Sequence, residues 1–166
     1  MSAISILNHF QISHKIKRLA WQIYENNMEN SEIWIAGIDE RGQFLAQLIC
    51  QELNTIGILS IQQFAIQLNR ETYEPLFLSE NNLDELANKT VILVDDVLNS
   101  GKTIMSCLLP LLEKNVAKIE LAVLASRSHK KFPLKADYVG ISMATTLQEH
   151  LLFDNGNIND LKMVLV

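Results

Sequence analysis

Apolar and polar residues alternate along this chain at two periods, one typical of helices and the other of strands. Apolar residues at helical spacing predict a helix over 13–27 with Ser13 as its N-cap, and a second helix that follows Gly42 and ends near Asn54. Continuous apolar runs predict buried strands over 33–38, 56–68, 90–94, 118–125, 136–141 and 162–166. The remaining segments are interpreted as a polar loop over 69–88, a turn over 95–101, a helix over 102–113 and a hairpin turn over 154–157.

Strands and helices alternate through the centre of the chain, and the central strands are apolar throughout. This pattern predicts an α/β fold whose mostly parallel sheet has helices on both faces. Three prolines and six glycines leave no room for a flexible linker, so we expect a single domain over 1–166. Ligands of such sheets bind at the carboxyl ends of the strands. Those ends carry two polar segments, 39–42 and 95–103.

The composition narrows the class of protein. Of the 166 residues, 48% are hydrophobic, and the two cysteines, Cys50 and Cys107, are too few for a disulfide scaffold. No apolar run approaches the roughly 20 residues that cross a bilayer, and residues 1–10 lack the pattern of a signal peptide. We therefore expect a cytoplasmic protein without a membrane partner. The formal charge of -5 argues against nucleic acid as the main partner, but not against a phosphate bound at local positive sites.

One segment combines a buried strand, an acidic pair, a turn of small residues and the start of a helix. At a helix N-terminus the free backbone N–H groups and the helix dipole favour an anion. The turn and helix start that offer this site are Asn99, Ser100, Gly101, Lys102 and Thr103. Asp95 and Asp96 are acceptors that suit the vicinal hydroxyls of a sugar, or a divalent metal held through water. A ribose with a phosphate on one side and free hydroxyls on the other fits both features.

Other interpretations fit this segment less well. A Walker A loop needs a glycine five residues before Gly101, where this chain has Asp96. A receiver domain also has an acidic pair after a strand, but here the pair comes late in the chain and an anion-binding turn follows it at once. Aspartates that only cap a turn would not explain why the pair stands between a buried strand and such a turn.

Segment 91–103 closely resembles the phosphoribosyl pyrophosphate (PRPP) motif of type I phosphoribosyltransferases. Segment 35–42 resembles the pyrophosphate loop of that family. Segment 66–71 is similar to the start of the flexible loop in the pyrimidine-operon attenuator/uracil phosphoribosyltransferase (PyrR-like) group, and segment 127–140 to its base-side segment. The chain is therefore identified as a member of the family, closest to that group. The resemblance implies the family's single-domain fold, with a flexible loop and a small hood.

The resemblance also implies a role for each matching residue. Asp95 and Asp96 would hold the ribose hydroxyls, and the turn over 99–103 would bind the 5′-phosphate. Arg41 would bind pyrophosphate, and Arg70 would reach it when the flexible loop closes. Mg²⁺ would bridge pyrophosphate and ribose oxygens, held mostly by substrate and water. The implied activity is transfer of the 5-phosphoribosyl group from PRPP to a nucleobase, uracil or a related pyrimidine, by a homodimer or larger oligomer.

The chain departs from the family pattern at Asn99, at Glu40 and at Ser128, which stands where the PyrR-like group usually has glycine. Asn99 stands where purine-salvage members have an aspartate that serves as general base, and an amide cannot take that proton at neutral pH. This speaks against hypoxanthine or guanine as substrate. Glu40 follows the predicted strand and precedes the pyrophosphate-loop residues Arg41 and Gly42. It stands where the PyrR-like group usually has threonine. A carboxylate there would repel pyrophosphate unless it points away or meets magnesium.

On the base side, the resemblance implies that Lys135 recognises a carbonyl of the base. It also implies that Tyr138 and Val139 stack on the base or bond to it through their backbone. Each residue fits a plainer interpretation equally well: Lys135 as a solvated lysine near Lys130 and Lys131, and the other two as ordinary strand residues.

Two further functions stay open beside the enzyme. One is a nucleotide-sensing, RNA-binding regulator on the same fold. Part of a basic face for RNA would come from Arg127, His129, Lys130, Lys131 and Lys135, although the acidic total disfavours it. The other is a catalytically weak nucleotide-binding homologue, motivated by Glu40.

Overall fold

The computed structural model describes residues 3–57, 59–80, 82–128, 130–146 and 148–166. Its strands are β1 Ile4–Leu7, β2 Glu32–Ile38, β3 Ser60–Leu68, β4 Pro75–Leu78, β5 Thr90–Leu98, β6 Lys118–Arg127, β7 Tyr138–Met143, β8 Leu151–Asp154 and β9 Lys162–Leu165. Its helices are α1 His9–Asn26, α2 Asp39–Ile56 and α3 Lys102–Glu113, with a short 3₁₀ turn at Leu83–Leu86. None of the described helices is long and apolar enough to cross a bilayer.

A six-stranded sheet in the order β4-β3-β2-β5-β6-β7 forms the centre of the molecule. The four pairings among β3, β2, β5, β6 and β7 are parallel, and only the edge strand β4 runs antiparallel. The expectation of a mostly parallel α/β sheet flanked by helices is confirmed. Because helices cover the central strands β2 and β5, residues 33–38 of β2 and 91–94 of β5 are apolar and buried on both faces.

Alternate residues of β2 enter two separate cores. Ile33 and Ile35 pack in the core that contains α1 and α2. Trp34, Ala36 and Ile38 pack on the opposite face, in the core that contains α3. This division follows from the period of two along a strand. It explains why the run over 33–38 has no polar position, and it fixes the carboxyl end of β2 at one edge of a rigid sheet.

A second sheet, in the order β1-β9-β8, forms the small hood. All of its pairings are antiparallel. Phe153 of β8 and Met163 of β9 are fully buried in the same core as α1 and α2. The hood is therefore packed on the main body through its own apolar face, and residues just after β8 lie near the edge of the main sheet.

The first helix begins earlier than the periodicity predicts. Its N-cap is Asn8, not Ser13, because Asn8 and Gln11 bond each other's backbone N–H groups in a capping box. Ser13 lies inside α1, where its hydroxyl donates to the carbonyl of His9. Residues 1 and 2, at the start of the segment judged for a signal peptide, lie outside the described part of the chain.

Further boundaries differ from the sequence prediction. The helix expected after Gly42 begins already at Asp39, and the strand expected from residue 136 begins at Tyr138. The segment over 69–88 is not an unstructured loop, since it contains β4 and the 3₁₀ turn. The strand predicted from residue 56 starts later, because α2 continues to Ile56 and β3 begins at Ser60. The predicted turn over 95–101 is wrong in its first half, because β5 continues to Leu98 beside β6. The helix over 102–113 is confirmed at both ends.

Candidate active site

The carboxyl ends of β2 and β5 lie side by side and open into one cavity. The two strands are parallel neighbours in register up to Gly37 and Val94, so the residues that follow them meet at the same edge. The cavity there has a volume of about 270 Å³. Its lining is formed by Ile38, Asp39, Glu40, Arg41, Arg70, Asp95, Asp96 and Asn155. The structure thus brings together five predicted site residues: Glu40, Arg41, Arg70, Asp95 and Asp96.

Gly42 allows the start of α2 to lie directly on the end of β5. A Cβ atom at Gly42 would lie 2.6 Å from the carbonyl oxygen of Val94 and 3.3 Å from the Cα of Asp95. Any side chain there would push the two loops apart. The structural task of Gly42 is therefore close backbone approach, and it sets the distance between Arg41 and the acidic pair.

Asp95 carries the most perturbed carboxyl group of the cavity. Removal from water raises its pKa well above the ordinary value, and the nearby charges of Asp96 and Asp39 raise it further. One stabilising contact opposes this, since the backbone N–H of Asp96 donates to Asp95 Oδ1 at 2.9 Å. A bound cation, or a ligand hydroxyl that donates to it, would favour the ionised form.

Asp39 lines the cavity and bonds to the end of β3 and to the segment that follows it. Its backbone is in the left-handed region at φ 50°, directly after β2. Its carboxylate accepts from the backbone N–H of Leu68 at 2.9 Å, and it also forms a short ion pair with the guanidinium of Arg70. Arg70 is thereby held at the cavity wall, although its side chain is 68% exposed.

The turn over 99–103 has the form expected of an anion site at a helix start. Gly101 adopts φ 87° and is the N-cap of α3. This left-handed conformation favours glycine, and a Cβ atom there would also lie 3.2 Å from the side chain of Leu134. Ser100 Oγ accepts from the backbone N–H of Lys102 at 3.2 Å. The carbonyl of Ser100 accepts from Lys131 and Phe132, which fixes the turn against segment 130–134.

Lys102 does not extend toward the acidic pair. Its ammonium lies 3.7 Å from the centre of the Tyr73 ring, a cation–π contact with the turn between β3 and β4. Tyr73 itself has φ 61° and closes that turn by donating its N–H to the carbonyl of Asn69. Together with the Arg70–Asp39 pair, this contact links the turn over 69–74 to the starts of both α2 and α3. Thr103 is half-buried in the first turn of α3.

The predicted base-side residues do not gather at the cavity. Lys135 is exposed, and Val139 is half-buried with its carbonyl accepting from Arg18 at 2.9 Å. Tyr138 is only 1% exposed, and its hydroxyl accepts from Asn26 and Asn27. Because its ring is enclosed in the core, the idea that Tyr138 stacks on a base does not fit its position. His129 lies outside the described residues.

Two polar lining residues carried no role in the sequence prediction. Asp39 stood in the pyrophosphate-loop segment, and an aspartate directly after a buried strand was the available signal. Asn155 follows β8 and was assigned only to a hairpin turn. It reaches the cavity because the hood folds back over the sheet, a long-range contact that local sequence does not encode.

The oxygen donors of the cavity suit a metal that is bound mainly by its substrate. No group of three or more His, Cys, Asp or Glu side chains converges on a common metal position in the described ranges. Asp95, Asp96 and Asn155 are instead separate oxygen donors on one wall. Mg²⁺ commonly takes one or two carboxylates, with phosphates and water completing its shell, and this lining fits that mode.

Comparison with known proteins places the chain in a family. Residues 2–150 match the model described as "Phosphoribosyl transferase domain". The chain belongs to the phosphoribosyl transferase family. Among curated relatives it is 32% identical to "Bifunctional protein PyrR" of Haemophilus ducreyi, covering 88% of this chain and 86% of that protein. It is 28% identical to the protein of the same name in Streptococcus pneumoniae (strain CGSP14), covering 100% and 98%. Within the type I phosphoribosyltransferases it is therefore PyrR-like.

Solved structures confirm the phosphoribosyltransferase fold. A hypoxanthine-guanine phosphoribosyltransferase from Bacillus anthracis aligns with a TM-score of 0.76 at 17% identity, covering 99% of both chains. The hypoxanthine phosphoribosyltransferase of Trypanosoma cruzi aligns with a TM-score of 0.79 at 13% identity, covering 96% of this chain and 94% of that one. At such identities the likeness concerns the fold alone.

Proposed function

We propose that this chain transfers the 5-phosphoribosyl group from PRPP to a nucleobase, with uracil or a related pyrimidine as the base, and releases pyrophosphate. The observation that carries the proposal is the position of the acidic pair Asp95–Asp96. The pair lies near the end of β5, where it lines the cavity together with the loop that leads into α2, and β5 continues directly into the turn that starts α3. PRPP has the matching order of groups: a phosphate, a ribose with two free hydroxyls, and a pyrophosphate.

The 5′-phosphate is assigned to the start of α3. The left-handed Gly101 starts α3 without a side-chain cap of its own, so N–H groups of the first turn are available to an anion, apart from that of Lys102, which donates to Ser100 Oγ. Thr103 adds a hydroxyl in the first turn. The ribose hydroxyls are assigned to Asp95 and Asp96, which are acceptors and would repel either phosphate.

Pyrophosphate is assigned to the loop that begins α2. The excess of negative side chains there means that pyrophosphate would need a bound metal ion. Four carboxyl groups and only two guanidinium groups line the cavity. Arg41 and Arg70 alone would leave pyrophosphate facing an excess of negative charge. Mg²⁺ supplies the missing positive charge when bound together with pyrophosphate. Glu40 would be compatible with this arrangement, because Mg²⁺ bound together with PRPP would offset the repulsion between its carboxylate and pyrophosphate.

The reaction breaks one bond and forms one. The bond between the anomeric carbon and the pyrophosphate oxygen breaks, and its electron pair leaves with pyrophosphate, whose charge Arg41 and Arg70 stabilise. A ring nitrogen of the base bonds to the same carbon from the opposite face, and its proton passes to solvent. The turn over 69–74 reaches the cavity through Arg70, and its closure over bound PRPP would exclude water from the cation-like ribose.

A pyrimidine is favoured over a purine by the side chain at position 99. Asn99 cannot remove a proton from a purine as a carboxylate would. The curated relatives named "Bifunctional protein PyrR" agree with the PyrR-like segments in this sequence. The solved hypoxanthine-guanine enzymes share only the fold at 17% identity or thereabouts, so they do not direct the choice of base.

The decisive experiment mixes the protein with PRPP, Mg²⁺ and one base at a time, and measures released pyrophosphate. The panel is uracil, cytosine, orotate, hypoxanthine, guanine and adenine. Release with uracil, and formation of the matching nucleotide, is the expected result. The absence of release with every base would contradict the proposal.

An RNA-binding regulator remains the second candidate, because the curated relatives carry the word "bifunctional" in their name. Lys131 and Lys135 are exposed, but Arg127 is buried and does not add to that face. We expect RNA binding, if present, to weaken with salt and to be lost in Lys130→Ala/Lys131→Ala. A catalytically weak nucleotide-binding protein is the outcome if PRPP binds without turnover. We further propose a single cytoplasmic domain that forms a homodimer or larger oligomer.

A further inference from the structure

Asp39 uses both oxygens of its carboxylate to join the start of α2 to the end of β3. Its Oδ1 accepts from the backbone N–H of Leu68 at 2.9 Å, and its Oδ2 accepts from Nη2 of Arg70 in an ion pair. The side chain of Asp39 is 20% exposed, whereas that of Arg70 is 68% exposed. The surrounding protein therefore holds the aspartate much more firmly than the arginine, and the ion pair is what brings the guanidinium to the cavity wall.

The backbone of the turn over 69–74 is ordered by hydrogen bonds of its own. Asn69 Oδ1 accepts from the backbone N–H groups of Glu71 at 2.8 Å and of Thr72 at 3.1 Å. These bonds place the backbone of Arg70 independently of the ion pair. The ion pair therefore acts on the direction of the Arg70 side chain, and not on the path of the chain.

The ion pair leaves most of the hydrogen-bond donors of Arg70 available to a ligand. A guanidinium has five N–H donors in one plane, and Asp39 accepts from Nη2. A free arginine side chain also has many rotamers, and their loss opposes binding. Because the ion pair orders the side chain before a ligand arrives, less of this entropic cost remains for the binding and reaction steps.

Asp39 and Glu40 are adjacent acids at the start of α2, and both line the cavity. Asp39 is paired with a guanidinium, whereas the ion pairs among the described residues do not include Glu40. The two carboxylates therefore have different consequences for an anionic ligand. Glu40 adds negative charge that opposes the anion, and Asp39 brings a cation with it.

We propose that Asp39 is a positioning residue, which holds the Arg70 guanidinium beside the cavity before substrate binds. Arg70 is then already in place to stabilise the charge that develops on the departing pyrophosphate. Donors fixed in advance need no reorganisation at the moment of reaction, which is why their position affects the rate. The inference rests on the proposed phosphoribosyl transfer and adds to it a residue that acts on the leaving group through Arg70.

The first test removes the charge of Asp39 and keeps the local geometry. Asparagine tolerates the left-handed backbone at φ 50°, and its Oδ1 can still accept from Leu68. We expect Asp39→Asn to lower kcat with uracil by about 10-fold, with most of the loss in kcat and little in the KM for PRPP. An ion pair with so exposed a partner adds little to stability, so the urea midpoint should stay near that of the wild type.

Glu52→Gln is the matched control, since it neutralises an acid of α2 that does not line this cavity. It should keep the kcat of the wild type. A kcat of Asp39→Asn equal to or above that of the wild type would overturn the inference, because Asp39 would then only repel pyrophosphate or compete with it for Arg70.

The second test is a double-mutant cycle with Arg70→Gln. If Asp39 acts through Arg70, Asp39→Asn lowers kcat in the wild-type background and has almost no effect once the guanidinium is gone. The cycle separates this role from a general effect on the fold, which would be present in both backgrounds. Equal losses of kcat in the two backgrounds would overturn the inference.

A third measurement does not depend on activity. The ¹⁵Nε–¹H signal of Arg70, assigned by its loss in Arg70→Gln, reports the order of the guanidinium through its heteronuclear Overhauser effect. We expect an ordered side chain in the wild type and in Glu40→Gln, and a mobile one in Asp39→Asn. An equally ordered side chain in Asp39→Asn overturns the inference. If the wild type transfers to no base, the proposed function fails, and this signal still decides whether Asp39 holds Arg70.

Discussion

The loops that follow β2 and β5 have the same construction but opposite charge. Each leads from a parallel strand into a helix N-terminus, and each uses a residue in the left-handed region, Asp39 at φ 50° and Gly101 at φ 87°. The first turn of α2 contains the acids Asp39 and Glu40. The first turn of α3, all of which the structure describes, contains none.

This difference assigns different ligands to two similar helix ends. At α2 the protein's own carboxylates already lie in the positive field of the helix, so a second anion binds there only with added positive charge. At α3 no acidic side chain of the first turn lies in this field, so an external anion can bind there. A helix N-terminus therefore does not identify a phosphate site by itself; the side chains of its first turn decide whether an anion or a metal-bound anion fits.

The largest predicted effect lies between the two loops, where the ribose connects them. Asp96→Asn replaces a charged acceptor by an amide, and we expect kcat/KM for PRPP to fall about 100-fold, the value of a lost charge-assisted hydrogen bond. Steady-state kinetics with varied PRPP measure it. Glu52→Gln, which neutralises an acid of α2 away from this cavity, is the matched control. Wild-type kinetics in Asp96→Asn would contradict the ribose assignment.

A smaller effect is expected from making the α2 loop resemble the α3 loop. Glu40→Gln removes one carboxylate from the cavity lining, so pyrophosphate should bind about 10-fold more tightly at low salt. The gain should shrink as salt is added, because screening weakens the repulsion that was removed. Product-inhibition constants for pyrophosphate measure this change. Weaker binding in Glu40→Gln than in Glu52→Gln would mean that Glu40 holds the magnesium complex instead of repelling it.

The smallest predicted effect concerns stability. The folded protein holds the proton of Asp95 more tightly than the unfolded chain does, because burial and the charge of Asp96 raise its pKa. As the pH rises above the ordinary pKa of an aspartate, the unfolded state ionises first, and the free energy of unfolding falls until Asp95 ionises in the folded state. Asn cannot ionise, so the free energy of unfolding of Asp95→Asn does not fall in this way. We expect it to be about 1 kcal/mol higher than that of the wild type at neutral pH.

Urea denaturation between about pH 4 and pH 8 tests this prediction. In this range a carboxyl group with a raised pKa is ionised in the unfolded chain before it is ionised in the folded protein. Asp95→Asn should flatten the pH dependence and also lose activity, which would separate a functional cost from a folding defect. An unchanged pH dependence would show that Asp95 is ionised in the folded protein.

The elements that depend on local pattern were predictable from the sequence. The apolar run of β2, the helix α3 and the parallel arrangement follow from residues close together in the chain. The end of β5 was not, because Asp95 and Asp96 are poor strand residues by themselves. They lie in the strand since Asp95 pairs with Val123 and Leu98 with Ser126 of β6, a tertiary pairing that overrides local preference.

The candidate site was predictable where a motif carries it, and not where the fold assembles it. Five predicted residues line the cavity, but Asn155 arrives from the hood and Tyr138 is enclosed in the core. The role of Asp39 depends on its reach to Arg70, which lies 31 positions away in the chain. Such contacts are set by topology, and a single sequence contains no local signal for them.

The account assigns the 5′-phosphate to the loop before α3 and pyrophosphate to the loop before α2. Calorimetry with ribose 5-phosphate and with pyrophosphate, each with and without Mg²⁺, tests these assignments most directly. The account predicts that ribose 5-phosphate binds with the same affinity in both conditions, since the start of α3 needs no metal. It predicts that pyrophosphate binds only when Mg²⁺ is present. Equal binding of pyrophosphate without the metal, or a metal requirement for ribose 5-phosphate, would contradict it.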